Sequence, residues 1–216
     1  LTYDDVEKVE FPGYGAAWEG MVNDQVDAMF ASTLSGPTKK LEASPRGIYW
    51  PPTPHNDEKC WGGIKKTAPY FVPRMITKGT GISAEQPYEG PAYPYPILMT
   101  LAKQDKNEVY SLTRAIVEEY DNYSAAEPAA KGWALKNQLL DWVVPYHDGA
   151  IMYLKEAGVW TDAHQAHNDK LVERQGVLAD AWSKMDMKLE GDAFASKWLE
   201  MRAAALSKAG FDPIWK

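Results

Sequence analysis

One cysteine, Cys60, stands among the 216 residues. With no second thiol there is no disulfide framework, and the cysteine count names no redox compartment. The simplest reading of Cys60 is a small, buried or half-buried side chain. Basic charge is also in short supply, 23 Lys and Arg against 30 Asp and Glu, for a formal net charge of −7. Binding nucleic acid needs a basic patch, and the only adjacent lysines are Lys39-Lys40 and Lys65-Lys66. Anionic membrane surfaces are disfavoured on the same ground. A small anionic ligand stays compatible, because a few backbone N–H groups hold a carboxylate even in an acidic protein. Long apolar runs are missing as well. The longest stretch free of charge, residues 90–102, is broken by Gly90, Pro91, Pro94 and Pro96 and is too short to span ~30 Å of hydrocarbon. No G-x-S-x-G, G-x-G-x-x-G or P-loop occurs, so the expectation is a chain without catalytic residues.

What is present suits one large domain or two small lobes. Apolar residues make up 45% and charged residues 25%, enough buried surface to offset the entropy of ordering. Nine Trp and twelve Tyr are many for this length. Such aromatic area means either a rich core or a ligand-stacking surface, and composition does not separate the two.

Residues 6–11 (VEKVEF) alternate apolar and charged, which predicts a half-buried strand stopped by Pro12-Gly13. Ala17, Trp18, Met21 and Val22 then fall at helical spacing, and Asn23-Asp24 is suited to a left-handed cap. Residues 26–31 (VDAMFA) read as a buried strand followed by the loop Ser32-Thr33-Leu34-Ser35-Gly36-Pro37. Strand, helix and strand within about thirty residues is a βαβ unit, hence a parallel sheet. A short helix over 38–43, a strand over 47–50, a helix over 57–67 and an extended stretch over 70–77 follow. Residues 79–91 are rich in turn formers and read as a crossover, and residues 96–101 (PILMTL) as a buried strand.

From there the pattern is helical. Val109, Leu112, Ile116, Val117 and Tyr120 make an amphipathic stripe over 107–123. Residues 129–143, with Trp133, Leu135, Leu139 and Trp142, predict a further helix. A third runs over 147–157 with Gly158 behind it, and Thr161 N-caps a long helix to about Leu189. Gly191 separates the last, which carries Phe194, Trp198, Leu199 and Leu206. The fold class is α/β with parallel-sheet lobes and an extended helical C-terminal region.

His164 and His167 sit near Asp162 and Asp169, but i, i+3 spacing presents two rings poorly to a metal and no third His or Cys is near. A solvated helix start is expected, and no metal. His55 and Cys60, five residues apart, lack a group to orient them as a nucleophile pair. His147-Asp148 reads as a helix cap. In an open parallel sheet, ligands sit where loops leave the C-terminal ends of strands. Ser32, Thr33 and Ser35 occupy such a loop and bring hydroxyl and backbone donors that hold a carboxylate without a cation. An ordinary polar loop is the other reading.

These residues resemble a known family. Residues 1–31 are similar to the second-lobe βαβ unit of TAXI-type solute receptors of TRAP transporters, through Tyr3-Asp4-Asp5-Val6 and Val26-Asp27-Ala28-Met29-Phe30. Asn23-Asp24 stands where that family often has glycine. Glu127-Pro128-Ala129-Ala130-Lys131, and Val144-Pro145-Tyr146-His147-Asp148-Gly149-Ala150-Ile151 running on to Trp160, resemble its C-terminal segment, with Asp148 in place of a frequent proline. The resemblance covers about residues 1–160.

It implies a type II periplasmic-binding-protein fold. Residues 1–87 would be the remainder of a ligand-binding second lobe, 88–160 the crossover and return to the first lobe, and 161–216 a helical extension. The family's first lobe and the glycine-serine-glycine-threonine loop of its second would precede Leu1, so a missing N-terminal lobe segment, on the same or a separate chain, is expected. The implied function is a periplasmic receptor without cofactor that captures a small organic anion (an amino acid, 2-oxo acid or other carboxylate) for TRAP membrane subunits. Its ligand-binding residues would be Ser32, Thr33, Ser35, Tyr14 and Trp50. Trp18 and Trp61 are further rings that face either a cleft or the core. STLSGP departs from the family's glycine-glycine-tyrosine-proline-like loop, so ligand identity does not carry over. An assembly protein built on a truncated binding-protein fold is the alternative.

Overall fold

The computed structural model describes residues 3–126 and 128–214; Leu1, Thr2 and Glu127 of the segments compared above lie outside the described residues. The chain divides into two compact units. Unit 1 comprises Leu1–Trp61 and Val72–Ala92, and unit 2 comprises Gly62–Phe71 and Tyr93–Lys216.

In unit 1 the helical spacing noted above forms α1 (Tyr14–Val22). Its Trp18 and Met21 are buried with Leu41 of α2 (Thr38–Glu42), and Val22, Val26, Met29, Ala31 and Ile48 pack around them. Asp24, with φ 62°, ends α1 in the left-handed region. Its N–H donates to Met21 O and that of Gln25 to Gly20 O, the paired bonds of a Schellman motif. Helix α3 (Glu58–Thr67) begins in this unit and ends in unit 2.

Strands β1 (Val72–Ile76) and β2 (Tyr88–Ala92) pair antiparallel, with Pro73 opposite Pro91. Proline has no N–H, so that pair sits at a non-hydrogen-bonded position and its nitrogens face the outer edges. Alternation then turns the Glu89 carbonyl outward too, where it accepts from Thr53 N–H at 2.8 Å. The edge of β2 is thereby occupied by the Pro51-Pro52-Thr53-Pro54 segment.

Four expected strands do not form. Residues 6–11, 26–31, 47–50 and 96–101 are irregular, and β1 and β2 are the only strands among the described residues. The parallel βαβ unit expected over 6–31 is therefore absent from them. Alternation or apolar run length makes a segment fit for a sheet, but a strand exists only where a neighbour completes its ladder. Without one, Phe30 is 73% and Met99 75% exposed, whereas the sequence placed both in buried strands.

Unit 2 is helical. Asp105 caps α4 (Lys106–Glu118) by accepting from Asn107 and Glu108 N–H, and a break at Glu119 separates the short α5 (Tyr120–Tyr123). The helix expected over 129–143 is replaced by 3-10 turns at Pro128–Trp133 and Leu135–Asn137. Its side-chain amides compete for the backbone: Asn137 donates to Lys131 O, and Gln138 to Gly132 O and Ala134 O. His147 Nδ1 accepts from Gly149 N–H and so caps α6 (Asp148–Glu156) as the sequence suggested. Ile151, Leu154 and Trp160 form the core, with Leu135, Leu140, Tyr146 and Val159 against it.

Helix α7 (Asp162–Ser183) starts at the expected Thr161 cap and stops short of Leu189. Asn168 is buried and its Oδ1 accepts from Tyr146 N–H at 2.7 Å. Burial pushes the Tyr146 phenol up to about 12. Helix α8 (Gly191–Lys208) packs on α7, burying Leu206 and the Arg202 side chain, whose Nη2 donates to Pro213 O. No helix among the described residues is long and apolar enough to cross a membrane.

Gly149 lets α6 cross α4 at backbone distance: a Cβ there would lie 2.8 Å from Tyr110 N and 2.8 Å from Val109 Cβ, and against Lys106 O. Helix propensity alone predicts that Gly149→Ala stabilises by about 1 kcal/mol. The crossing predicts the reverse, a loss of about 1–3 kcal/mol in urea unfolding, as expected for overpacking against backbone that has no room to yield. A stabilised variant would contradict the close crossing.

Candidate functional site

The loop after residue 31 is built from small hydroxyl residues that bond locally. Ser32 Oγ accepts from Leu34 N–H at 3.3 Å, and Ser35 N–H donates to Ser32 O at 3.0 Å. Pro37 then starts α2, and Thr38 N–H donates to Ser35 O. Thr38 is fully buried. Its hydroxyl donates to Ser35 O and lies 2.6 Å from Thr80 Oγ1, so the Thr80 hydroxyl supplies the proton between them.

The turn at Gly79–Gly81 holds the loop from its other side. Thr80 N–H donates to Thr33 O at 3.1 Å, and Thr33 Oγ1 reaches Lys78 O at 3.5 Å. A Cβ on Gly79 would lie 2.8 Å from Thr33 Cβ and 2.9 Å from Thr33 O, so only glycine admits this approach. Trp50 Nε1–H donates to Thr80 O at 2.9 Å, and the Trp50 ring tilts against Tyr88 at 6.2 Å.

All five residues expected to face a ligand therefore meet around one turn of chain. Tyr14 Oη lies 3.1 Å from Ser35 Oγ, and its ring is exposed. Ser32 is exposed, while Thr33, Ser35 and Trp50 are half-buried. The two other candidate rings are core. Trp18 is 4% exposed with its Nε1–H lacking an acceptor among the described residues, and Trp61 is buried with its Nε1–H donating to Pro54 O.

The donors of the loop itself are neutral. Ser32 accepts from Leu34 and keeps its own hydroxyl proton free. Two nearby cations are engaged elsewhere, Lys40 with Glu19 at 2.6 Å and Arg46 with Met21 O, Val26 O, Asp24 and Asp27, while Lys39 and Lys78 beside the loop are exposed and make no ion pair among the described residues. Such a cluster can bind an anion or a polar neutral group through directed hydrogen bonds.

Thr38, Thr80 and Gly79 are the residues that sequence reasoning missed. Gly79-Thr80-Gly81 stood inside a segment read as a crossover, and its two flanking glycines were the available signal. The remaining candidates are structural. His164 Nδ1 accepts from Thr161 N–H in a capping box, and His167 Nε2 bonds Trp142 O at 2.7 Å, so His167 is tied into the fold rather than solvated. Cys60 is exposed on α3, not buried or half-buried as the sequence suggested, and His55 turns to Glu89 at 3.5 Å. Among the described residues no three His, Cys, Asp or Glu side chains gather as a metal site.

Residues 1–158 match the model of the NMT1-like family. No curated protein and no solved structure matches the chain.

Thr38→Val keeps the shape of the side chain and removes the hydroxyl. It strands the Thr80 hydroxyl in a buried place, so urea unfolding should show a loss of about 1–3 kcal/mol, with faster amide exchange at Thr80. A loss below about 0.5 kcal/mol would show that the pair does not hold the loop.

Proposed function

The chain belongs to the NMT1-like family, whose members are generally periplasmic solute-binding proteins, and from that premise we propose that it captures a small organic anion at the loop over Ser32, Thr33 and Ser35. Tyr14 and Trp50 flank the bound molecule. The ligand class is a small carboxylate, such as an amino acid or a 2-oxo acid. The finer proposal is a receptor of the TAXI kind that works in the periplasm, delivers its ligand to TRAP membrane subunits and leaves it chemically unchanged. Its two units would be parts of a type II binding fold.

The observation that carries this reading is the convergence of Tyr14, Ser35, Thr33 and Trp50 on the buried Thr38–Thr80 pair. A loop whose backbone carbonyls at Thr33 and Ser35 are fixed from below presents its side chains in one arrangement before the ligand arrives. Preorganisation of that kind lowers the entropy cost of binding.

A second reading has one observation in its favour. Ile97, Leu98, Met99 and Leu101 are all exposed in an irregular segment without a strand partner among the described residues. Neighbouring apolar side chains left exposed in this way suit assembly rather than solvent.

Thermal unfolding of the full reading-frame product against a carboxylate panel separates the two. The receptor reading predicts stabilisation by RT ln(1 + [L]/Kd), about 2.7 kcal/mol at a hundredfold excess over Kd. The double variant Tyr14→Phe, Ser35→Ala should lose most of that rise. No response to any carboxylate, together with a mass that grows with concentration, would overturn it in favour of assembly.

A further inference from the structure

Unit 2 carries an apolar stretch that nothing covers among the described residues. Within residues 93–101, Tyr93, Tyr95, Ile97, Leu98, Met99 and Leu101 are all exposed. The stretch is held at both ends. Trp133 Nε1–H donates to Pro96 O at 3.0 Å, and Gly132 lies so close that a Cβ on it would run into Tyr95 O. At the other end Gln104 N–H donates to Leu101 O and Asp105 caps α4. Between these anchors no hydrogen bond among the described residues reaches the backbone of Ile97, Leu98, Met99 or Thr100. The segment therefore keeps both an apolar surface and free N–H and C=O groups, which is what an unpaired sheet edge offers a second chain.

Three observations single out a second copy of this chain as the occupant. The first is area. The exposed parts of these side chains come to about 700 Å², close to the roughly 800 Å² that each partner gives to a stable interface and above the ~300–600 Å² of the largest patch on a typical monomer. The second is charge. Residues 90–102 hold no Asp, Glu, Lys or Arg, in a chain whose formal net charge is −7. Two copies repel over most of their surface and meet here without opposing like charges. The third is the order of the residues. Antiparallel apposition of the stretch with itself sets Met99 against Met99 and Ile97 against Leu101, apolar on apolar, and Lys103 against the Tyr95 ring rather than a second cation. Reversal about a two-fold axis is how one surface complements itself.

We propose that residues 97–101 pair antiparallel with the same residues of a second copy, forming a two-fold homodimer flanked by Tyr93 and Tyr95. This dimer gives the assembly reading its partner and rests on that reading, and no residue of the unit 1 loop takes part in it. Association is driven by apolar burial, so added salt leaves it intact.

Sedimentation equilibrium of the full reading-frame product should show a monomer–dimer equilibrium that persists in high salt. Met99→Lys sets two lysines face to face and should weaken the dimer about tenfold or more. Met187→Lys, at an exposed methionine outside the stretch, should leave it unchanged. Both side chains are exposed, and an unchanged helical circular dichroism verifies the fold of each variant. In a Cys60→Ser background, Met99→Cys should join two chains by a disulfide when oxidised with copper–phenanthroline, and Met187→Cys should not. Association that Met99→Lys fails to weaken, or a Met99→Cys chain that stays uncrosslinked, would leave the assembly reading standing and overturn this dimer. A monomer at every concentration would overturn it as well, whether another part of the product then shields residues 97–101 from amide exchange or the chain floats with phosphatidylcholine vesicles.

Discussion

Thr38 carries a hydroxyl into a place that water does not reach, so its hydrogen bonds must close within the protein. They close on Ser35 O and on Thr80, and this joins two segments 42 residues apart in sequence. The arrangement of the unit 1 loop follows from that junction. Thr80 N–H fixes Thr33, Thr80 O fixes Trp50, and Ser35 is left with its side chain beside Tyr14. Gly79 is the steric condition for the junction, since any Cβ there would collide with Thr33. Neutral donors held this way suit an anion that is selected by geometry rather than by charge.

Much of the helical architecture was legible in the sequence because helices are local. The apolar spacing of Trp18 and Met21 predicted α1, Thr161 predicted the start of α7, and His147 its role as a cap. Asn23-Asp24 announced a left-handed ending, and Asp24 provides it. Strands are not local. Residues 26–31 and 96–101 have the composition of buried strands, yet whether they pair depends on chain elsewhere, and no period along the segment reports that. The 129–143 stretch failed for a different reason. Its apolar residues suggested a helix, but Asn137 and Gln138 capture the carbonyls that a helix would need.

The candidate site was legible in its members and not in its support. The Ser32–Ser35 loop was singled out as the exit from the C-terminal end of a parallel strand, a strand absent from the described residues, and aromatic content pointed to Tyr14 and Trp50. Trp18 and Trp61 belonged to the same aromatic set and went to the core, a difference that burial alone decides. Thr38 and Thr80 look like ordinary threonines in the sequence. Only the fold shows that one is sealed beneath the loop and the other shares its proton.

The central claim is that the unit 1 loop is where an organic anion is held. Amide hydrogen exchange of the full reading-frame product, with and without the carboxylate that most raises its unfolding temperature, addresses it directly. The account predicts slowed exchange concentrated at residues 32–38 and at Thr80, and loss of that protection in Thr38→Val. Protection confined to other segments, with the loop exchanging as fast as in the free protein, would contradict it.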